Sequence, residues 1–317
     1  MRIATFNVES LDLPVEARLP VLQPAIERLE ADILCLQEVN GQRVPGTRER
    51  ALTALDRVLA GTRYAGYGRV STQGHGRNGA ADVHNLVILS RFPIVAHAQV
   101  LHDLVPPLEL RSVTAEPPAT AALPIRFERP LLHAEIEVGG RRLHVINVHL
   151  RAPIASPIAG QKTGPFTWKS VSGWAEGYYH SDLKRVGQAL ELRLLVDRLF
   201  DADPAASILV TGDFNAEANE ATVRLLAGVA EDTGNAALAA RALVVLDRGI
   251  EASRRYSIVH HGRPQMLDHM LASHALLGHF RGIEVHNEAL GDEAVGWASQ
   301  VAAAGSYHAG VVAAFAL

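Results

Sequence analysis

The sequence predicts an α/β protein in which sheets pack face to face beneath a cover of helices. Three observations lead there. Short β-rich runs alternate with helical patterns along most of the chain. One segment reads as a clear hairpin, and no linker or internal repeat divides the 317 residues, so one domain over 1–317 is expected.

"RIATFNV" (2–8) and "DILCLQEV" (32–39) are β-like, with a helical stretch from about 15 to 30 between them. "RALTALDRVLAG" (50–61) is amphipathic at helical spacing and stops at Gly61. "HNLVILSRFPI" (84–94) reads as a strand closed by a turn at Pro93. "LLHAEIEVGGRRLHVINVHL" (131–150) alternates on both sides of Gly139-Gly140, the pattern of two strands joined by a tight turn. Residues 181–200 form a long helix, and "SILVTGDFN" (207–215) is a buried strand running into a polar tip. "MLDHMLAS" (266–273) and the terminal "HAGVVAAFA" are two more strands. Pro-rich 104–130 and Gly/Ser/Trp-rich 152–180 read as long loop insertions, and loops of that length in a compact domain are commonly functional rims.

Composition narrows the classes. Hydrophobic residues make up 48% and charged residues 20%, which is ordinary for a soluble enzyme. The apolar runs fall far short of the ~20 residues a membrane helix needs, so no transmembrane segment is expected. A net charge of −4 is not the footprint of a protein that grips many phosphates, which favours a substrate smaller than duplex DNA. The single cysteine, Cys35, lies in an apolar run and reads as a small buried hydrophobe. "MRIATFNV" has no long apolar signal region, so a cytoplasmic location is expected, and the chain is expected to be a monomer.

Polar residues recur where apolar strands end. Asn7 follows "IATF" and Glu38 follows "DILCLQ". Asn147 and His149 close one strand, Asp213 and Asn215 close another, Asp268 opens a third and His308 precedes the last. Residues two apart in an extended segment share a face, which pairs Asn147 with His149 and Asp213 with Asn215. Each has an ordinary structural reading: a Gly-Asp turn caps loops, a strand-end Glu is solvated, and a His among apolar residues packs in a core. Those readings handle the repetition poorly. Carboxylate and amide oxygens suit a hard ion such as Mg²⁺, and no His/Cys cluster shows zinc spacing.

These stretches carry a resemblance. "ATFNVESL", "LCLQEV", "NLVILSRFPI", "INVHL", "VTGDFNAE", "LDHMLAS" and "SYHAGVV" run in the order of the endonuclease/exonuclease/phosphatase superfamily. That group is typified by deoxyribonuclease I, abasic-site endonucleases, neutral sphingomyelinases and inositol-polyphosphate 5-phosphatases, and the resemblance spans almost the whole chain. It implies a four-layer α/β sandwich, two packed and mostly antiparallel sheets flanked by helices, with the active site where strand tips converge. It implies Glu38 as the main ligand of Mg²⁺ or Mn²⁺, with Asn7 helping to form that site. Asp213 resembles the residue that orients or deprotonates the attacking water, and Asn215 the one that holds transition-state oxygens. Asn147 and His149 match the segment that contacts the scissile phosphate, and His308 matches the terminal catalytic His supported by Asp268.

Position alone adds Arg151, two residues past His149, as either a phosphate contact or a solvated loop arginine. Asn85, opening its strand, is a further residue expected to line the site. Lys162, Trp168, Lys169, Trp174, Tyr178 and Tyr179 read as a packed loop cluster or as a surface for a base, a sugar or a lipid. One departure matters: the usual Ser-Asp-His is here Ser306-Tyr307-His308, so a single cation centred on Glu38 and held more weakly is expected. The implied activity is a metal-dependent phosphodiesterase or nuclease. A phosphatase or phospholipid diesterase, and a catalytically silent binding protein, are the alternatives. The partner expected is thus a phosphate ester: nucleic acid, a small phosphodiester or a lipid head group.

Overall fold

Most strands of the chain are apolar on both faces, the mark of a sheet covered on each side. A computed structural model describes residues 1–74, 76, 79–299 and 305–317. In chain order the main elements are β1 (Arg2–Leu11), α1 (Leu19–Arg28), β2 (Ile33–Val39), α2 (Thr53–Leu59), β3 (Gly68–Ser71), β4 (Asn85–Ser90), β5 (Ile94–Val100), β6 (Leu131–Val138) and β7 (Arg141–His149). There follow α3 (Val171–Ala202), β8 (Ser207–Asp213), α4 (Ala221–Ala227), β9 (Val244–Val245), β10 (Asp268–Ala272), β11 (Phe280–His286) and β12 (Gly310–Phe315).

The strands make two six-stranded sheets, ordered β11-β12-β1-β2-β4-β3 and β9-β10-β8-β7-β6-β5. Each is mixed, with one parallel pair near its middle, β1 with β2 and β7 with β8. Ile3, Cys35, Ile88, Val311 and Ala313 of the first sheet meet Ala134, Val145, Leu209 and Met270 of the second between the sheets. The opposite faces take helices. Leu22 and Ile26 of α1 and Leu55 and Val58 of α2 cover the first sheet, packing on Ala4, Leu34 and Val312. Leu192 and Val196 of α3 and Val223 of α4 cover the second, on Ile146, Ile208 and Val210. The result is a four-layer α/β/β/α sandwich, as expected. No helix among the described residues is long and apolar enough to cross a membrane.

Three local expectations change. Helix α3 begins at Val171, where Ser170 Oγ accepts from the Gly173 amide, so Trp174, Tyr178 and Tyr179 sit on a helix and not in a loop. Its opening turns look loop-like because glycine is needed there: a Cβ on Gly177 would come 2.3 Å from the Ser156 carbonyl oxygen. Segment 104–130 is not bare loop but carries a ribbon of Leu108–Leu110 against Leu123–Ile125. Pro93 does not merely close a strand; it turns the chain from β4 in one sheet to β5 in the other.

The parallel pairs position the site. Their four C-terminal ends, β1, β2, β7 and β8, lie at one end of the sandwich, where β10 and the antiparallel β4 and β12 begin. At Gly212 strand β8 passes so close to β7 that a Cβ would sit 2.0 Å from the Val148 carbonyl oxygen. This register sets Asp213 directly beside His149.

Candidate active site

Simple alternation explains only half of the residues gathered at this end. Asn7, His149, Asp213 and Asp268 continue the inward-facing series of their strands. Glu38 does not: Leu34 and Leu36 face the helices, and strict period two would send Glu38 the same way. Instead Glu38 adopts φ +61°, the pairing of β2 with β4 slips between Leu36 and Val39, and the carboxylate turns toward the other sheet. Glu9, Ser10, His84 and Asn215 also hold positive φ. Strain of this kind costs about 1–3 kcal/mol per residue and persists where the surroundings fix it.

Asp213 is the hub. It is 1% exposed, yet its Oδ2 accepts from Asn7 Nδ2 at 3.0 Å and from Asn215 Nδ2 at 3.2 Å, and Oδ1 accepts from the Asn215 amide at 2.8 Å. His149 Nε2 lies 3.4 Å from Asp213 Oδ2 and 3.5 Å from Glu38 Oε1, so the two carboxylates face each other across one ring nitrogen. Asn7 Nδ2 also reaches Glu38 Oε1 at 3.2 Å, and the Ser10 amide donates to Glu38 Oε2 at 2.9 Å. Burial and the nearby Asp268 carboxylate push Asp213 up to about 7. Burial would raise Glu38 too, but His84, the Asn7 donor, His308 and Arg129 outweigh it and hold Glu38 below its ordinary value.

His308 Nδ1 is 2.8 Å from Asp268 Oδ2, and its Nε2 points toward Asp213 Oδ2 at 4.0 Å. Burial alone would lower this imidazole; Asp268, with Asp213 and Glu38 behind it, lifts it to about 10. His308 is therefore cationic at neutral pH. Because the folded value lies above the unfolded 6.5, the pair's stabilisation is fully present below 6.5 and is lost as pH rises through about 10. The melting-temperature advantage of wild type over His308→Gln is expected to shrink across that window. An advantage that stays constant with pH would show that no proton is held there.

Four of the expected residues do different work from that anticipated. Asn147 is fully buried; its Nδ2 donates to the Leu36 and Val87 carbonyls and its Oδ1 accepts from Gln37 Nε2 at 2.7 Å. Every amide hydrogen is spent on the opposite sheet, so Asn147 ties the sheets together and has no donor for a phosphate. Asn147→Ala is expected to lower stability by about 1–3 kcal/mol, read by denaturant unfolding. Asn85 is committed likewise, donating to the Val39 and Ala81 carbonyls and accepting from the Ala81 amide, so it braces a loop and does not line the site. Asn215 Nδ2 is shared between Asp213 and the Leu150 carbonyl at 3.0 Å, which aims it at the carboxylate and not at a free oxygen. Asn7 Oδ1 accepts from the Glu9 amide, so its NH₂ faces the carboxylates and bridges Glu38 to Asp213.

Arg151 lies beside the site, in a hollow of about 370 Å³ shared with His84, Arg129, Gln73 and Gln99. Arg129 and His84 went unforeseen. Arg129 Nη1 donates to His149 Nε2 at 2.6 Å and to the Leu150 carbonyl at 2.9 Å. That bond makes Nε2 an acceptor, and burial with Arg129, His84 and His308 keeps His149 neutral, well below its usual range. His84 meets His149 edge to face at 5.6 Å. Glu9 brings a further carboxylate: its Oε2 accepts from the Tyr307 amide at 2.9 Å, and burial raises it. Nothing in the periodicity of the sequence marks these residues.

The donor chemistry fits a divalent cation. Ligand atoms of Glu38, His84 and His149 all lie within 4.8 Å of one another, as do those of Asp213, Asp268 and His308. Asp268 Oδ1 is buried with no hydrogen-bond partner, an oxygen acceptor left open beside the ion pair that Oδ2 makes with His308.

The fold has counterparts among solved structures. The chain is similar in fold to an AP endonuclease from Archaeoglobus fulgidus, at 18% identity over 100% of both chains and a TM-score of 0.55. It is similar to the 3′ phosphatase NExo from Neisseria bound to product DNA hairpin, at 17% identity over 100% of both and a TM-score of 0.56. A mannosyl-6-phosphatase from Bacteroides thetaiotaomicron gives 14% identity, again over 100% of both chains, with a TM-score of 0.60. No curated protein sequence matches the chain. The sequence pattern of the Endonuclease/Exonuclease/phosphatase family matches residues 4–308, from the first inward-facing strand to the His308 that meets Asp268, and the chain belongs to that family of phosphoester hydrolases.

Proposed function

We propose that the chain is a divalent-metal-dependent phosphodiesterase with one catalytic domain over residues 1–317, acting as a monomer. The observation that carries this reading is the meeting of a buried carboxylate poised near neutrality, Asp213, with a cationic imidazole, His308, opposite Glu38. Asp213 orients a water and accepts its proton as the water attacks phosphorus. Asn7 and Asn215 hold that carboxylate in place. His308 donates from Nε2 to a phosphoryl oxygen, while Asp268 fixes the ring through Nδ1. Arg129 holds His149 in its neutral form and adds positive charge where negative charge gathers on the phosphate. Glu38 is the residue proposed to hold Mg²⁺ or Mn²⁺, which as a Lewis acid stabilises the phosphoryl and leaving oxygens when bound.

The hollow beside the site, into which Arg129 and Arg151 bring positive charge, suits the part of a diester beyond the cleaved bond. A specific observation favours a second reading, a lipid head-group diesterase. Pro117, Pro118, Leu123 and Ile158 line an apolar groove of about 620 Å³ that meets the hollow at Glu128. One panel tests both: bis-p-nitrophenyl phosphate, p-nitrophenyl phosphate, single-stranded oligonucleotides, plasmid DNA, sphingomyelin and inositol phosphates, each with Mg²⁺ or Mn²⁺. Turnover of diesters that EDTA abolishes is the expected result. Turnover of monoesters alone would replace the proposal with a phosphatase, and silence on all would replace it with a binding protein.

A further inference from the structure

The β6–β7 hairpin carries a second cluster that the proposed phosphoesterase chemistry does not use. The register sets Glu135 opposite His144 and places His133 two residues from Glu135 on the same face. His133 Nε2 lies 3.0 Å from His144 Nδ1, and a ring nitrogen of each histidine and a Glu135 carboxylate oxygen all lie within 4.8 Å of one another. Leu132, Ala134, Leu143 and Val145 point between the sheets, so these three residues project from the outer, helix-covered face. His149 is on the inner face, five residues or about 16 Å along the strand. The cluster is separate from the candidate active site.

We infer that His133, Glu135 and His144 form a binding site for a divalent transition-metal ion of the Zn²⁺ type, which would clip β6 to β7. Two Zn–N bonds of about 2.05 Å at a tetrahedral angle put their nitrogens about 3.3 Å apart. The observed 3.0 Å, a hydrogen bond between the two rings, is about 0.3 Å short of that spacing, so the ion would replace the shared proton. Two imidazoles and one carboxylate are a set that Zn²⁺ accepts with water as fourth ligand and that Mg²⁺, which takes oxygen donors, does not favour. Glu135 Oε2 contacts Arg142 at 3.0 Å, but Arg142 is 62% exposed and exchanging a surface ion pair for a metal bond costs little. Asp203, at the end of α3, lies close enough to act on His144 and adds a second negative charge to the surroundings.

The test uses the intact chain stripped with EDTA and titrated with Zn²⁺ by calorimetry, with Co²⁺ absorption as a report on tetrahedral coordination. Wild type and Glu38→Gln should both bind one equivalent of Zn²⁺ at this site, with a rise in melting temperature that Mg²⁺ does not reproduce. His144→Gln should lose that equivalent and the tetrahedral Co²⁺ bands. Should His144→Gln fail to give a cooperative melt, the exposed-side variant Glu135→Gln must show the same loss. Hairpin variants that keep every Zn²⁺ equivalent and the Co²⁺ bands of wild type, whether or not Glu38 is present, overturn the inference. The titration needs no substrate, so its outcome is independent of the proposed activity.

Discussion

Asp213→Asn is expected to cut turnover by about 10²–10⁴-fold with the fold intact. The substitution keeps size and shape, so the melting temperature should change little, but the amide cannot take a proton from water. Its amide oxygen can still accept from Asn7 Nδ2 and Asn215 Nδ2, which now donate to Asp213 Oδ2, while its NH₂ gives up only the bond that Oδ1 accepts from the Asn215 amide. His308→Ala is expected to fall in the same range for the opposite reason, the loss of a donor to the phosphoryl oxygen. Steady-state assays should place both effects on kcat. A variant of either kind that turns over substrate near the wild-type rate would remove the water-activating or the phosphate-contacting role.

Glu38→Gln should act on the metal. Altering even a residue that supports a metal ligand typically costs about 10–100-fold in affinity, and losing a ligand's charge should cost at least that. Activity should then return partly as Mg²⁺ or Mn²⁺ is raised, a response that Asp213→Asn lacks. An unchanged metal dependence in Glu38→Gln would move the cation to other ligands. The second triad of donors, Asp213, Asp268 and His308, is the one to test next.

Much of this site was legible because it sits on strands. Apolar alternation in "ILVTGDFN" and "LHVINVHL" places Asp213 and His149 at strand ends, and period two gives the face of each. The limits have physical causes. Alternation puts Glu38 on the wrong face, since the bulge that re-aims it depends on pairing with β4 and not on its own neighbours. Asn147 carries the same pattern as His149, yet its depth between the sheets makes it a cross-link, and depth is a tertiary property. Arg129 lies at the end of the Pro-rich segment and has no periodicity to betray it. His133, Glu135 and His144 show no metal-binding spacing in sequence; only the hairpin register brings them together.

The site is divided between the two sheets. Asn7, Glu38 and His308 stand at the ends of strands in one, and His149, Asp213 and Asp268 in the other. Neither sheet alone carries a carboxylate hub, a cationic imidazole and Glu38 at once. The Gln37–Asn147 bond joins the sheets directly beneath these groups. On the proposed mechanism, catalytic competence belongs to the docked pair and cannot precede docking during folding. A chain with every strand formed but its sheets not yet closed would have the secondary structure of the enzyme and no chemistry. In such a molecule turnover measures the final step of assembly.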